Sequence, residues 1–164
     1  MPTLRLFLDS SALIAGIVSP KGAARALLLL GEAEKLMLIL SEQVIAEVER
    51  NIARKVPQAL CFAREMILRA KVHMVSDPSP EEVYLHRHWI SHHADVPILV
   101  AAYQAKAVFL RGKSAVRFSA VTLDSRHFLE DAAVAERSGL RLGTPGDALA
   151  WVREQLAGAG EKGF

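Results

Sequence analysis

Short apolar runs alternate with longer stretches of helical periodicity along this chain. Leu4-Arg5-Leu6-Phe7-Leu8 reads as a buried strand that stops abruptly at Asp9-Ser10-Ser11, and the apolar segment Ala12 to Val18 makes this a strand-to-helix turn. Ser19-Pro20-Lys21-Gly22 breaks the chain, and Ala23 to Leu30 then supplies strong helix formers, with Gly31 as the expected C-cap. Leu36 to Leu40 reads as a second strand and Ser41 as an N-cap, after which Val44, Ile45, Val48 and Ile52 fall on one helical stripe. Pro57 opens another helix through Leu68, Val72 to Val75 gives a third strand, and Asp77-Pro78-Ser79-Pro80 ends it. Beyond lie expected helices at Glu81 to Ile90 and Asp95 to Lys106 and a strand at Phe118 to Leu123. A short strand at Leu140 to Leu142 precedes a helix starting near Thr144-Pro145.

Strands separated by helices predict an α/β protein, a three-layer α/β/α sandwich with a central parallel sheet and right-handed crossovers. No internal repeat or long linker divides the chain. One domain over residues 1–157 is expected, with residues 158–164 as a flexible Gly-rich tail.

Composition narrows the class without naming the partner. A chain of 164 residues, 51% hydrophobic and 23% charged, is sized and balanced for one globular core that needs no disulfide or structural metal. Apolar runs such as Ala26 to Leu30 are far below the ~18 residues that span a bilayer, and no secretion signal is visible, which makes the cytoplasm the default location. Cys61, the single cysteine, has no disulfide or zinc partner and is expected as a small core residue. A net charge of +2 does not mark a nucleic-acid binder in bulk. If several of the 18 acids share a pocket, however, the remaining surface is more basic than the total, with Arg50, Arg54, Lys55, Arg111, Lys113 and Arg117 as candidates; ordinary solvated charges would look the same.

The candidate chemistry lies in carboxylates distant in sequence. In an open parallel sheet, ligands bind beyond the carboxyl ends of the strands, and both Asp9 and Asp124 follow apolar strand-like runs. Asp95 precedes Val96-Pro97-Ile98, where it suits either a site or a helix N-cap. Glu47 and Glu49 flank the apolar stripe on opposite sides, and periodicity does not choose between them. Acids without His or Cys partners form the ligand set of a hard ion, Mg²⁺ or Mn²⁺ rather than zinc, which suits in-line hydrolysis of a phosphodiester. Ser10, Ser11 and Thr122 could orient such a site or make ordinary local hydrogen bonds. Among His86, His88, His92 and His93, only His88 and His92 would share a helical face at metal-chelating spacing. No acid or cysteine completes a zinc set, and a solvated or packed helix face is the expected reading.

Four blocks together resemble the PIN-domain family of ribonucleases: Leu6 to Ile14, Leu40 to Val48, Ala94 to Ala102 and Val121 to Phe128. The resemblance implies a parallel sheet between helices, Mg²⁺ or Mn²⁺ held by acids, and single-stranded RNA as substrate. By position it assigns Asp9, Glu47, Asp95 and Asp124 to the metal site, favouring Glu47 over Glu49, with Ser10 and Thr122 as supports. Arg50, Arg54, Lys113, Arg117, Arg126 and His127 are the candidate RNA contacts. Many small members are dimeric toxins silenced by an antitoxin, so a homodimer and an antitoxin partner are expected. Where many members carry a further acid after the Asp124 equivalent, this chain has Ser125, Arg126 and His127. A haloacid dehalogenase-type phosphatase would need an Asp at the position of Ser11, and a receiver domain would need an acidic pair ahead of its strand-end Asp. The alternative to a nuclease is a PIN-like module that binds RNA or protein without cutting.

Overall fold

The computed structural model describes residues 4–112 and 133–160. Its elements in chain order are β1 (Arg5–Leu8), α1 (Ser10–Val18), α2 (Ala23–Glu32), β2 (Met37–Ser41), α3 (Glu42–Lys55), α4 (Leu60–Arg69), β3 (His73–Val75), α5 (Pro80–Leu85), α6 (Val96–Gln104), β4 (Val108–Leu110), a helical segment 133–138 (α7), β5 (Leu142–Gly143) and α8 (Pro145–Gly160). Single 3₁₀ turns, Pro57–Ala59 and His93–Asp95, lead into α4 and α6.

The described strands form one parallel sheet in the order β3-β2-β1-β4-β5. Phe7 pairs with Ile39 on one side and with Phe109 on the other, which makes β1 the central strand. Leu6, Phe7, Leu8, Leu38, Ile39 and Leu40 are almost completely buried, as strands covered on both faces must be. The chain steps outward from β1 to β3, then returns to the other side of β1 to lay down β4 and β5. Right-handed crossovers in opposite directions put helices on opposite faces. Accordingly α1, α2, α3 and α4 pack on one another with α8 against α2, while α5 packs on α6 and α6 lies on β2 and β4. The three-layer α/β/α architecture expected from the alternation is present.

Local chemistry explains most boundaries. Asp9 caps α1, the Ser41 hydroxyl accepts from the Val44 amide at the start of α3, and Ser79 with Glu82 closes a reciprocal capping box on α5. Thr144 and Asp147 do the same for α8, each backbone N–H donating to the other's side chain. The helix runs to Gly160, past the boundary expected at residue 157. Arg5, the one charge in β1, donates Nε–H to the Ala105 carbonyl at the end of α6.

Several expectations are corrected. Gly31 lies inside α2 instead of capping it. A Cβ there would stand 2.8 Å from both the Ala70 carbonyl oxygen and Leu38 Cδ1, so the glycine permits close approach of α2 to its neighbours. The residues that turn left-handed after α2, α4 and α6 are Glu34, Lys71 and Lys106, at φ of 59°, 52° and 52°. The helix expected from Glu81 to Ile90 ends at Leu85, because residues 86–89 tighten into turns that sink Trp89 and Ile90 into the core. This also dissolves the helical spacing of His88 and His92, which are exposed, while His86 stacks on Trp89 at 4.2 Å. Cys61 is exposed instead of buried, since α4 turns Ala63 and Met66 inward. The strand Val108–Leu110 was not anticipated, and the one expected at Phe118 to Leu123 lies outside the described residues.

The two kinds of backbone constraint predict opposite signs. Gly31→Ala should destabilise by about 1–3 kcal/mol through overpacking, and Lys106→Gly should stabilise by roughly 0.5–1 kcal/mol by relieving a left-handed non-glycine residue. Urea denaturation of the purified variants measures both. A Gly31→Ala variant as stable as the parent would contradict the packing described.

Candidate active site

The strand order reverses between β1 and β4, and a cleft opens beyond their carboxyl ends, as at the ligand sites of other open parallel sheets. The cleft encloses about 150 Å³. Asp9, Ser10 and Ser11 reach it from the β1–α1 turn, Glu47 from α3, Asp95 from the 3₁₀ turn before α6, and Arg111 and Gly112 from the end of β4. Ile90, Leu99 and Phe109 supply apolar wall.

Asp9 is the most heavily engaged of these groups. Its Oδ1 accepts from the Ala12 amide (2.7 Å), the Gly112 amide (3.1 Å) and the Ser11 hydroxyl (2.8 Å); Oδ2 lies 2.9 Å from the same hydroxyl. Its own N–H donates to the Leu110 carbonyl at 3.0 Å. A Cβ on Gly112 would stand 2.5 Å from the Ala12 nitrogen, so only glycine lets β4 come close enough to donate. Desolvation dominates the titration of Asp9 and pushes its carboxyl above the ordinary carboxylate range, against the opposing pull of those hydrogen bonds and of the Arg111 charge.

Glu47 and Asp95 are in a different state. Both are half-buried, and neither side chain has a hydrogen bond or ion pair among the described residues. Asp95 therefore does not act as a side-chain N-cap: its backbone is helical at φ −91° and ψ −13°, with no capping hydrogen bond. Glu49 does not line the cleft; its Oε1 is 3.0 Å from Arg64 Nε in an exposed ion pair. The turn bearing Asp95 is tied to α3 by Gln43, whose Nε2 donates to the Ala94 carbonyl at 3.0 Å, one helical turn before Glu47. The Gln43 amide in turn donates to Asp77 Oδ1 at 3.0 Å.

The structure thus brings Asp9, Glu47 and Asp95 to one cleft together with Ser10. Arg50 and Arg54 are exposed on α3 and do not line it, whereas Arg111 does. Asp124, Thr122, Lys113, Arg117, Arg126 and His127 lie outside the described residues. Sequence reasoning missed Gln43 and Gly112. Reading Val108-Phe109-Leu110 as a strand would have placed Gly112 at a strand end, but the run continues the apolar pattern of α6 and hides the break.

All the acids here are oxygen donors, suited to Mg²⁺ or Mn²⁺. Among the described residues no three of them stand close enough to hold one ion together.

No protein-family model matches the chain, and no curated protein matches it in sequence. Solved structures match its fold: PAE2754 from Pyrobaculum aerophilum superposes with a TM-score of 0.58 at 13% identity, over 92% of this chain and 90% of that one. VapBC2 from Rickettsia felis, solved bound to a DNA fragment from its promoter, superposes at 0.54 and 12% identity, over 86% and 98%. At such identities the likeness is one of fold. The chain is a PIN-like three-layer α/β/α protein, as the four sequence blocks implied.

The Asp9 geometry makes a pH-dependent prediction. A folded-state pKa raised above the unfolded one means that folding favours the neutral acid. Its contribution is then complete below the unfolded carboxylate range and is lost as pH rises through the folded pKa. Asp9→Asn, which keeps an acceptor for Ala12 and Gly112, should therefore match or exceed the parent's melting temperature at pH 7 in EDTA, the advantage vanishing toward pH 3. A variant less stable than the parent at neutral pH would show that the hydrogen bonds outweigh desolvation.

Proposed function

We propose that the chain is a metal-dependent endoribonuclease that hydrolyses phosphodiester bonds of single-stranded RNA, acting as the toxin of a toxin–antitoxin pair. The observation that carries the reading is that Asp9, Glu47 and Asp95 line one cleft at the switch point of a PIN-like sheet, the side chains of Glu47 and Asp95 without partners among the described residues. Buried or half-buried carboxylates left unpaired repel one another and call for a cation. The toxin role is supported by the fold shared with VapBC2, a toxin–antitoxin complex.

In this reading Asp9, Glu47, Asp95 and Asp124 would hold Mg²⁺ or Mn²⁺, with Ser10 and Thr122 as supports. When bound, the ion would activate a water for attack and offset charge on the scissile phosphate. Ser11 and the Ala12 and Gly112 amides fix the Asp9 carboxylate in one orientation, so that it needs no reorganisation. Gln43 sets the separation of Glu47 and Asp95 by holding the Ala94 carbonyl. Ile90, Leu99 and Phe109 exclude water from one wall, which strengthens each charge interaction inside. Arg111 offers a cation to the phosphate. A homodimer and an antitoxin partner belong to the same reading, drawn from the family resemblance. The absence of a three-acid convergence among the described residues favours, as a second reading, a PIN-like module that binds RNA without cutting.

Cleavage of single-stranded RNA by protein purified free of contaminating nuclease should require Mg²⁺ or Mn²⁺ and cease in EDTA. Glu47→Gln and Asp95→Asn should each lower the rate at least ten- to a hundred-fold with the fold unchanged, because neither side chain holds a hydrogen bond among the described residues. Glu49→Gln loses only an exposed ion pair and should cut normally. Cutting that survives EDTA overturns the metal mechanism, and RNA binding with no cutting under any ion would establish the second reading.

A further inference from the structure

A second concavity of about 450 Å³ opens beside the cleft, with Pro78, Pro80, Tyr84, Arg87, His93 and Pro97 in its lining. It lies on the other side of the 3₁₀ turn His93–Asp95 from the cleft. His93 and Asp95 are the two ends of the same 3₁₀ turn, one lining each concavity, and Gln43 and Glu47 are one turn apart on α3 in the same relation. A chain whose phosphate sits by Asp95 therefore has this groove as its next lodging.

The lining is specific in kind. Tyr84 is 63% exposed, and the Arg87 guanidinium lies over its ring with Cζ 3.8 Å from the centroid. Arg87 Nη1 donates to the Tyr84 carbonyl at 2.8 Å, which holds the guanidinium over the ring before any ligand arrives. An exposed aromatic ring under an ordered guanidinium, with proline faces beside it, is a set of flat surfaces on which unpaired bases stack. Arg87 supplies a cation for the backbone, and Asp77, the acid in the lining, already accepts from the Gln43 amide. A helix docking from a protein partner would want deep aliphatic pockets, whereas the apolar surface here comes from the Tyr84 ring, Val83 and three proline rings, Val96 being fully buried.

We propose that this groove is a nucleobase subsite, in which a base of single-stranded RNA flanking the phosphate in the cleft stacks on the Tyr84–Arg87 ledge. The proposal rests on reading the cleft as an RNA phosphodiester site. It assigns Tyr84 and Arg87 to substrate selection, and makes the nucleotide next to the cut a determinant of where cutting occurs.

The test is fluorescence anisotropy with a labelled single-stranded hexaribonucleotide, with and without Mg²⁺, beside a series in which each nucleotide in turn is abasic. Tyr84→Ala and Arg87→Ala should each weaken binding by roughly five- to a hundred-fold, the loss expected for one stacked base. Tyr84→Phe should bind as the parent does. One abasic position should erase the difference between the parent and Tyr84→Ala, a coupling that a general loss of charge or fold would not produce. The melting temperature of Tyr84→Ala should match the parent's, since the side chain is largely exposed. If the parent binds the hexamer and both alanine variants bind it equally well, the subsite is overturned while the ribonuclease reading stands, and the groove is left to a protein partner. If the parent neither binds nor cuts RNA, the ribonuclease reading itself fails and the subsite falls with it.

Discussion

The Asp9 carboxylate is held where three segments of backbone meet, and the hydrogen bonds it accepts tie the end of β1 to the start of α1 and to the end of β4. The rest of the architecture depends on this junction. The strand order reverses between β1 and β4, whose parallel pairing runs to Leu8 and Leu110, and the Asp9 junction extends it beyond the strands. A single oxygen accepting from Ala12, Gly112 and Ser11 joins them, and it satisfies an orphan amide of the helix in the same act. The arrangement needs a glycine at 112, since the approach that lets its N–H reach Asp9 leaves no room for a Cβ.

That junction carries a cost, because it places a carboxyl group out of water beside other acids. Desolvation raises the pKa of Asp9 although three donors and Arg111 pull it down. Glu47 and Asp95 add two more carboxylates to the same cleft, both without partners among the described residues. Elsewhere the polar groups are well matched: among the described residues no buried side-chain nitrogen or oxygen lacks a hydrogen bond.

The cleft and the neighbouring groove share their support. Gln43 bonds to Ala94 through its side chain and to Asp77 through its backbone, so one residue at the head of α3 holds the turn that divides the two concavities. On the other side of that turn, the packing of His86, Trp89 and Tyr103 around ring distances of 4.2 to 6.4 Å anchors the segment leading into it. Loop residues can thus be placed accurately without belonging to a helix or strand, because hydrogen bonds and aromatic contacts fix them from both sides.

Patterns of local origin were legible in the sequence. The strand ending at Asp9, the strand before Ser41 with its capped helix, and the parallel α/β/α class all follow from periodicity and capping chemistry, which act over a few residues. That Asp9 closes a strand and Asp95 opens a helix also followed from that pattern. Whether Glu47 or Glu49 faces the cleft did not, because both flank the buried stripe equally, and it took α4, bringing Arg64 to Glu49, to separate them. Asp95 looked like a cap by position, yet the 3₁₀ turn before it leaves its carboxylate turned to the cleft. Gly31 and Cys61 were misjudged for the same reason: a glycine inside a helix and a cysteine on its surface are decided by which neighbour approaches which face. Val108 to Leu110 reads as more of the preceding helix until β1 offers it a partner. The residues that the chain brings to the site were thus written in local pattern, whereas their orientation and their partners were decided by contacts between segments up to a hundred residues apart, which no local periodicity records.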